Sequence, residues 1–472
     1  MPLLSSGSRR WVAVAALALL GGCASFSDDG GFGSVEQAAQ QHLGKEVRWA
    51  RSDADREAIA RRVNQLLAEP LDIEAAVQLA LLNNPGLQAS YFELGIGEAE
   101  LVRAGRLPNP GFSFGRLTRG DEVEWERGVH FDLAGLLTMP MRRQVEARRF
   151  AQVQGTAAMA VLSLAADTRK AWVQAVAAQE SMRYRLQVMQ AAQASAELAR
   201  RMAQVGNFNK LQQAREQSFY AEAALGLAQA EQAQRATRER LIRLLGLWGA
   251  QTAFRLPERL PDLPAAPRDL PDVERIAIAQ RLDVQGARLA TEQTAKNLGL
   301  TRSTRVVNVL ELGYMRNSSN EAPVQRGWEV GFELPLFDWG TSRVAQAESV
   351  YRQSLARAAE TAINARSEVR EAYGAYRSAW DIARHHRDEL VPLRQRIAEE
   401  NVLRYNGMLF GVFELLADAR VQIASVNASI DALRDFWLAQ ADLDMALLGK
   451  PGLAAATALS ATAPAESGGT GH

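Results

Sequence analysis

Two acidic residues near the C-terminal end of the chain have a spacing that could serve ion conduction. Glu414 and Asp418 lie four residues apart, directly after a turn that contains Gly407 and Gly411. This spacing places both carboxylates on one face of a helix. Two interpretations are open. One is a solvated helix end, where acidic side chains favour the first turn. The other is a ring of carboxylates that narrows a pore and favours cations where several copies meet.

A pair of adjacent histidines invites a metal interpretation that the sequence does not support. His385 and His386 would point about 100° apart on a helix, so they would chelate one ion poorly. The chain has one cysteine and no pair of histidines separated by three residues. We therefore predict no metal site.

Motifs of the common enzyme classes are absent from the sequence. It has no glycine-rich phosphate loop, no nucleophile elbow and no HExxH helix. We predict a protein that is not an enzyme and that uses no cofactor apart from a covalent lipid. Lys plus Arg equals Asp plus Glu at 54 each, and the balance is 52 to 54 without Arg9 and Arg10. With no bulk positive charge, nucleic acid is not an expected partner.

The N-terminus has the features of a bacterial lipoprotein leader. Arg9 and Arg10 precede a short apolar run from Trp11 to Leu20, which is too short to span a bilayer. The run ends in LGGC (20–23), which resembles a lipobox, and Cys23 is the only cysteine. We predict that residues 1–22 are removed and that Cys23 is acylated. Ala24 after the cysteine favours export to the outer membrane.

Long helices dominate the rest of the sequence. The segment 404–449 carries two apolar rows spaced by sevens, which is the seam of a coiled coil. One row is Leu416, Ile423, Ile430 and Trp437, and the other is Val412, Ala419, Val426 and Leu433. A segment with almost no helix breakers from about Met141 to Val205 predicts another long helix, and Gly206 marks the turn that follows it.

Four short segments have the period of β-strands. They are GFSFGRLTRG (111–120), RGVHFDLAGLL (127–137), VVNVLELGYMRN (306–317) and RGWEVGFELPLF (326–337). We predict a lipid-facing set made of Val129, Phe131, Leu133, Trp328, Val330, Phe332 and Leu334. We predict a lumen-facing set made of His130, Asp132, Glu329 and Glu333. Alternation alone fits both a soluble sandwich and an outer-membrane barrel.

The two halves of the chain repeat the same order of features. ALLNN (80–84) matches AIAQR (277–281) at an offset of 277 − 80 = 197, and Gly206 matches Gly407. We infer a tandem duplication. Each half carries two strands, and four strands cannot close a membrane barrel, whose known sizes begin at about eight. An open edge cannot lie in lipid, so several protomers would have to pool their strands, and three would supply twelve.

At this point the sequence resembles the TolC-like outer-membrane efflux family, over about Leu71 to Gly449. The matching segments are NNP (83–85), LPNP (107–110), RLDV (281–284), LPLFD (334–338) with Gly340, RYNG (404–407) and ELLADAR (414–420). Within the family, the segment 404–420 is most similar to the heavy-metal, CzcC-like branch. The interval from Gly407 to Asp418 is longer than usual, so exact gating roles do not carry over.

The resemblance implies a mainly α fold with a small β part. It implies a homotrimer with a twelve-stranded outer-membrane barrel on a periplasmic barrel of helices. Such proteins are passive exit ducts that a periplasmic adaptor opens and an inner-membrane pump drives, here of the RND type. The cargo would be metal ions or small toxic compounds. Arg404 and Tyr405, beside the turn, are candidates for closing contacts between helices at the pore tip.

These inferences divide the chain into six parts. They are a signal peptide (1–22), an acylated tether with a short helix (23–70), a first repeat (71–250), a proline-rich linker (251–268), a second repeat (269–450) and a disordered tail (451–472). Two other classes remain open. A periplasmic adaptor lipoprotein would have one helical hairpin between β-rich halves. A structural coiled-coil lipoprotein would need no amphipathic strands.

Overall fold

The computed structural model describes residues 25–306, 309–333, 336–409 and 411–450. Cys23, Leu334 and the tail 451–472 lie outside the described residues, as does the side chain of Glu414. The fold is mainly helical with one small antiparallel sheet, as the sequence predicts.

Eight helices and strands, and one short 3-10 helix, make up the first half of the described chain. They are α1 Gly33–Leu43, α2 Asp53–Ala68, α3 Ile73–Asn83, α4 Pro85–Ala104, β1 Gly111–Arg119, β2 Glu122–Asp132, α5 Leu133–Gln204, α6 Lys210–Leu245 and the 3-10 helix Gly249–Thr252.

The second half follows the same order from its first helix onward. Its elements are α7 Val273–Gln280, α8 Leu282–Ser303, β3 Leu310–Ser319, β4 Gln325–Phe332, α9 Thr341–His385, a π-helical turn His386–Leu390, α10 Val391–Asn406 and α11 Val412–Leu448. The π-helical turn ends two residues before Pro392, which has no N–H and cannot continue a regular ladder.

The chain divides into two compact units. One contains the described residues up to Val35 and those within Ser90–Ala158 and Asp283–Ala362, and therefore the whole sheet. The other contains Glu36–Ala89, Met159–Leu282 and the residues from Ile363 onward, and therefore both helical turns.

The N-terminal segment is more ordered than the polar tether that the sequence predicts. Phe32 is buried and its ring lies 4.8 Å from that of Tyr91 in α4, in an edge-to-face contact. The backbone N–H of Ser27 donates to the carboxylate of Glu98 at 2.6 Å. One buried aromatic contact and one charge-assisted hydrogen bond therefore fix residues that composition alone marks as a linker.

The proline-rich linker is also packed. Phe254, Leu260 and Leu263 are buried in the unit that holds the helical turns. The carbonyls of Pro261 and Pro264 each accept a hydrogen bond at 3.1 Å, from the indole N–H groups of Trp437 and Trp380. Proline carbonyls are free of strand or helix partners, so they are available to satisfy these indoles.

Helix α11 is continuous, as predicted, but its buried face differs from the predicted seam. Leu433 and Trp437 are half-buried and pack against the core. The fully buried apolar positions in its C-terminal part include Phe436 and Leu443. The heptad rows therefore describe the first part of the helix better than its end, where packing on the globular core takes over.

The boundary between β2 and α5 lies earlier than predicted. Leu133 is the first residue of α5 and not a strand residue. The carboxylate of Asp132 accepts from the N–H of Gly135 at 2.7 Å, so Asp132 caps the first turn of the helix. Likewise Glu333 follows the last residue of β4 and is not part of that strand.

The two turns between long helices have the same hydrogen bonds. In the first, the N–H of Asn207 donates to Met202 O at 2.9 Å, and in the second the N–H of Leu409 donates to Arg404 O at 2.9 Å. This six-to-one bond is that of a Schellman motif.

The left-handed residue of the second turn is not the predicted glycine. Gly206 has φ 82, while the equivalent residue is Met408 with φ 58. Gly407 has an ordinary φ of −79. The predicted match of Gly206 to Gly407 is therefore wrong by one residue, because the hydrogen-bond register of the helix end, and not the glycine, sets the turn.

This assignment predicts opposite results for two alanine substitutions. Gly206→Ala places a side chain at a left-handed position and should lower the free energy of unfolding by about 1 kcal/mol. Gly407→Ala should leave stability unchanged or raise it slightly, because an added Cβ there meets only ordinary contacts at 3.5 Å or more. Thermal unfolding of the purified variants measures both effects. Equal losses of unfolding free energy in the two variants would contradict the assignment of an ordinary backbone conformation to Gly407.

Candidate functional site

The four strands form one sheet in the order β1-β2-β3-β4, and every neighbouring pair is antiparallel. Strands β2 and β3 join the two halves of the chain, with Val129 opposite Tyr314. Residues opposite each other across an antiparallel pair project to the same face. The register therefore determines which side chains share a face.

One face of the sheet is apolar over most of its length. Its first rows are Leu310 with Phe332; Phe131 with Leu312 and Val330; and Phe112 with Val129, Tyr314 and Trp328. Every residue of the predicted lipid-facing set that lies in a described strand is on this face.

The opposite face is polar and acidic. It carries His130, Asp132 and Glu329 as predicted. It also carries four acidic residues that the strand pattern did not single out, namely Glu122, Glu124, Glu126 and Glu311. His130 Nε2 lies 3.1 Å from Ser113 Oγ. This face therefore concentrates negative charge on one side of the sheet.

The apolar face is not covered by the rest of the described chain. Phe112 is 70% exposed and Trp328 is 73% exposed, and Val330 and Phe332 are also exposed. Leu336 and Phe337, just beyond β4, are exposed too, and Phe337 is fully so. A soluble domain buries a face of this kind. Here the face requires an environment outside the chain.

The described residues at the helix tips contact neighbours within their own helical hairpin. Arg404 pairs with Glu400 on its own helix at 3.1 Å, and Tyr405 is exposed. Asp418 accepts a hydrogen bond from Asn401, which joins α10 to α11. Gly411 directly precedes α11. Of the predicted acidic pair, Asp418 is thus held by a neutral partner.

A buried ion pair near the same tips was not predicted from the sequence. Glu216 in α6, with a side chain only 3% exposed, accepts from Arg420 in α11 at 2.9 Å. Ser195 in α5 donates to its other oxygen at 2.8 Å. The Arg420 guanidinium also stacks over Phe219 at 4.3 Å. No sequence signal connects residues 204 positions apart.

No group of three or more His, Cys, Asp or Glu side chains is placed to hold a metal ion among the described residues. In the same ranges no helix is long and apolar enough to cross a membrane.

Neither protein-family models nor curated proteins match this chain. Solved structures do. A structure of CusC, which forms a transmembrane channel, matches with a TM-score of 0.66 and 16% sequence identity. The match covers 81% of this chain and 93% of the CusC chain. The CmeC outer membrane channel of Campylobacter jejuni matches with a TM-score of 0.69 and 16% sequence identity, over 87% of this chain and 91% of the CmeC chain. The MtrE outer membrane channel of Neisseria gonorrhoeae, in its open state, matches with a TM-score of 0.65 and 17% sequence identity, over 82% of this chain and 89% of the MtrE chain.

These matches each cover more than four fifths of this chain, and they confirm the resemblance at the level of fold. The chain has the fold of the TolC-like outer-membrane efflux channels.

Proposed function

We propose that the protein is one subunit of a homotrimeric exit duct in the outer membrane. The observation that carries this proposal is the amphipathic sheet, whose apolar face is exposed and whose edge strands β1 and β4 have open sides. Three copies supply twelve strands, enough to close a membrane barrel. The apolar face then contacts lipid, and the face with His130 and Glu329 lines a watery lumen.

The duct performs no chemistry of its own. A periplasmic adaptor opens it, and an inner-membrane pump of the RND type supplies the energy. The cargo is metal ions or small toxic compounds. Met408 and Leu409 at the second helical turn are 94% and 82% exposed, which suits a tip that docks on another protein. Acylation of Cys23 adds an anchor in the outer membrane.

A tandem duplication accounts for the repeated order of elements. Asn84 ends α3 and Arg281 ends α7, and both have the same extended conformation, with ψ 118 and ψ 122. Both side chains reach the carbonyl end of a long helix: Asn84 donates to Leu244 O at 2.9 Å and Arg281 to Ala446 O at 3.3 Å. The two positions do the same structural work in each repeat.

The proposal is tested by assembly and conductance. We expect the purified protein to run as a trimer in mild detergent and to conduct ions in planar bilayers. Val330→Lys places a charge on the apolar face and should cost about 2–4 kcal/mol in the membrane, which reduces trimer yield in the outer membrane. Glu329→Lys places the same charge one residue away on the opposite face and should preserve assembly. A monomer without conductance would favour the adaptor or structural lipoprotein instead.

The acidic residues of the tip predict a change of ion selectivity. If Glu414 and Asp418 form a ring in the trimer, the double variant Glu414→Ala and Asp418→Ala loses preference for cations. Reversal potentials of single channels under a salt gradient measure this. Unchanged selectivity would leave the two carboxylates as ordinary residues of a solvated helix end.

We expect the Glu216–Arg420 ion pair to hold α6 and α11 together and so to stabilise the closed state of the duct. Removing Arg420 leaves a carboxylate buried without its charged partner and weakens the α6–α11 contact. Arg420→Ala should therefore raise the open-channel current about fivefold or more, since 1 kcal/mol shifts an equilibrium by about that factor. Arg215→Ala is the matched control, because Arg215 is exposed and adjacent to Glu216 in sequence. Equal currents in both variants would contradict this role of the ion pair.

A further inference from the structure

We propose that Arg127, Arg316 and Arg326 form a binding patch for the phosphates of an anionic lipid headgroup. This inference rests on the proposed function, since it requires the apolar face of the sheet to contact lipid. It adds a ligand and a set of residues that the exit-duct proposal does not contain.

The sheet register brings the three arginines into one row. Arg127 in β2 is opposite Arg316 in β3, and Arg316 is opposite Arg326 in β4. Opposite residues on neighbouring antiparallel strands have Cα atoms about 4.5–5.5 Å apart. All three side chains are exposed and project from the same face as Trp328 and Val129. Three arginines thus lie side by side in the row next to the apolar rows.

This row costs stability unless an anion compensates it, because like charges directly opposite each other in a sheet repel. None of the three arginines makes an ion pair with a carboxylate in the described part of the chain. The acidic residues of the sheet, such as Glu126 and Glu329, project from the other face. The compensating charge must therefore come from outside the chain.

The row lies where lipid headgroups would be. The apolar rows occupy the part of the sheet next to the helices, since β2 runs directly into α5 at Leu133. The arginine row is the next row towards the hairpin turns. Beyond it, Trp125 carries the Arg116 guanidinium over its ring at 5.3 Å. Aromatic girdles flanked by cations mark the membrane–water boundary of barrels, and in the proposed duct the hairpin turns face the outside.

Arginine suits this ligand better than lysine would. Its planar guanidinium makes two parallel hydrogen bonds to a phosphate, and its long stem keeps apolar contacts while the charged end reaches the interface. Three arginines in a row can bind more than one phosphate at once. Lipid A, a glycolipid with two phosphates, is the headgroup chemistry that this row fits.

The test compares the purified trimer with and without added lipid. The thermal midpoint is measured in detergent alone, with phosphatidylcholine, with lipid A and with inorganic phosphate. Three variants are compared. The first is Arg316→Gln, and the second combines Arg127→Gln, Arg316→Gln and Arg326→Gln. The third, Arg119→Gln, is the control, because it removes an exposed arginine from the opposite face. Binding of lipid A is titrated for each.

We expect lipid A to raise the midpoint of the wild type and of Arg119→Gln. Arg316→Gln should bind lipid A about tenfold more weakly, the loss of one charge-assisted contact, and the triple variant should gain nothing from it. Without lipid, the variants should be no less stable than the wild type, because the repulsion is relieved. This last result separates loss of a ligand from failure to fold.

Equal stabilisation of wild type and triple variant by lipid A would overturn the proposal, and so would equal stabilisation by phosphatidylcholine. If inorganic phosphate alone reproduced the effect, the assignment to a lipid headgroup would be wrong. Conductance of the same samples separates the two levels. A conducting wild type without a lipid A effect contradicts the patch only, whereas a protein that neither forms trimers nor conducts contradicts the duct as well.

Discussion

The open edges of the four-stranded sheet are the constraint on which the rest of the functional reasoning depends. Strands β1 and β4 each present one row of backbone N–H and C=O groups without partners in the sheet. In water such an edge is a hazard for aggregation, and in lipid each unsatisfied group costs several kcal/mol. An exposed apolar face adds a second demand. Both are met at once when identical sheets pair edge to edge in a ring, because closure satisfies the edges and lipid covers the face.

The β2–β3 pairing makes this solution available. It joins residues such as Phe131 and Leu312, which lie far apart in the chain, and so it merges two hairpins into one continuous sheet. Two separate hairpins would have twice as many open edges and no common apolar face. The pairing also collects the acidic residues of both halves, among them Glu126 and Glu311, on one side. In a closed ring that side surrounds the axis, which gives the proposed lumen its negative charge.

Local chemistry explains what could be predicted from the sequence. The capping box of Ser52 and Asp55 and the cap at Asp72 both form as their spacing indicates. The alternation in β4 correctly separated Trp328 from Glu329 because a strand has period two whatever lies around it. The errors at strand and turn ends have a different cause. Leu133 starts a helix that Asp132 caps, and Met408 adopts a left-handed conformation, because of hydrogen bonds to specific neighbours, which composition does not determine.

Long-range pairs are the part that the sequence could not provide. Nothing local distinguishes Glu216 from other glutamates on α6, yet its burial and its bond to Arg420 make it the charged contact between α6 and α11. The pairing of β2 with β3 is equally invisible, since any of several strand orders fits four amphipathic segments. Such features depend on which surfaces meet in space, and a single sequence contains no record of that. The resemblance to a known family supplied the architecture but not these contacts.

In the proposed tandem duplication, such contacts diverge in coupled steps. Asn84 satisfies the carbonyl end of α6 with a neutral amide. Arg281 serves α11 with a guanidinium that is only 1% exposed, and a buried charge of this kind needs a counter-charge, which Glu368 supplies at 2.7 Å. The contact made by the charged Arg281 therefore depends on a second residue, Glu368, whereas the contact made by the neutral Asn84 needs no counter-charge. The same logic applies to Arg420, whose buried partner Glu216 belongs to the other half of the chain. Divergence of this kind makes the two helical hairpins unequal, and in the proposed duct the Glu216–Arg420 ion pair joins one hairpin to the other.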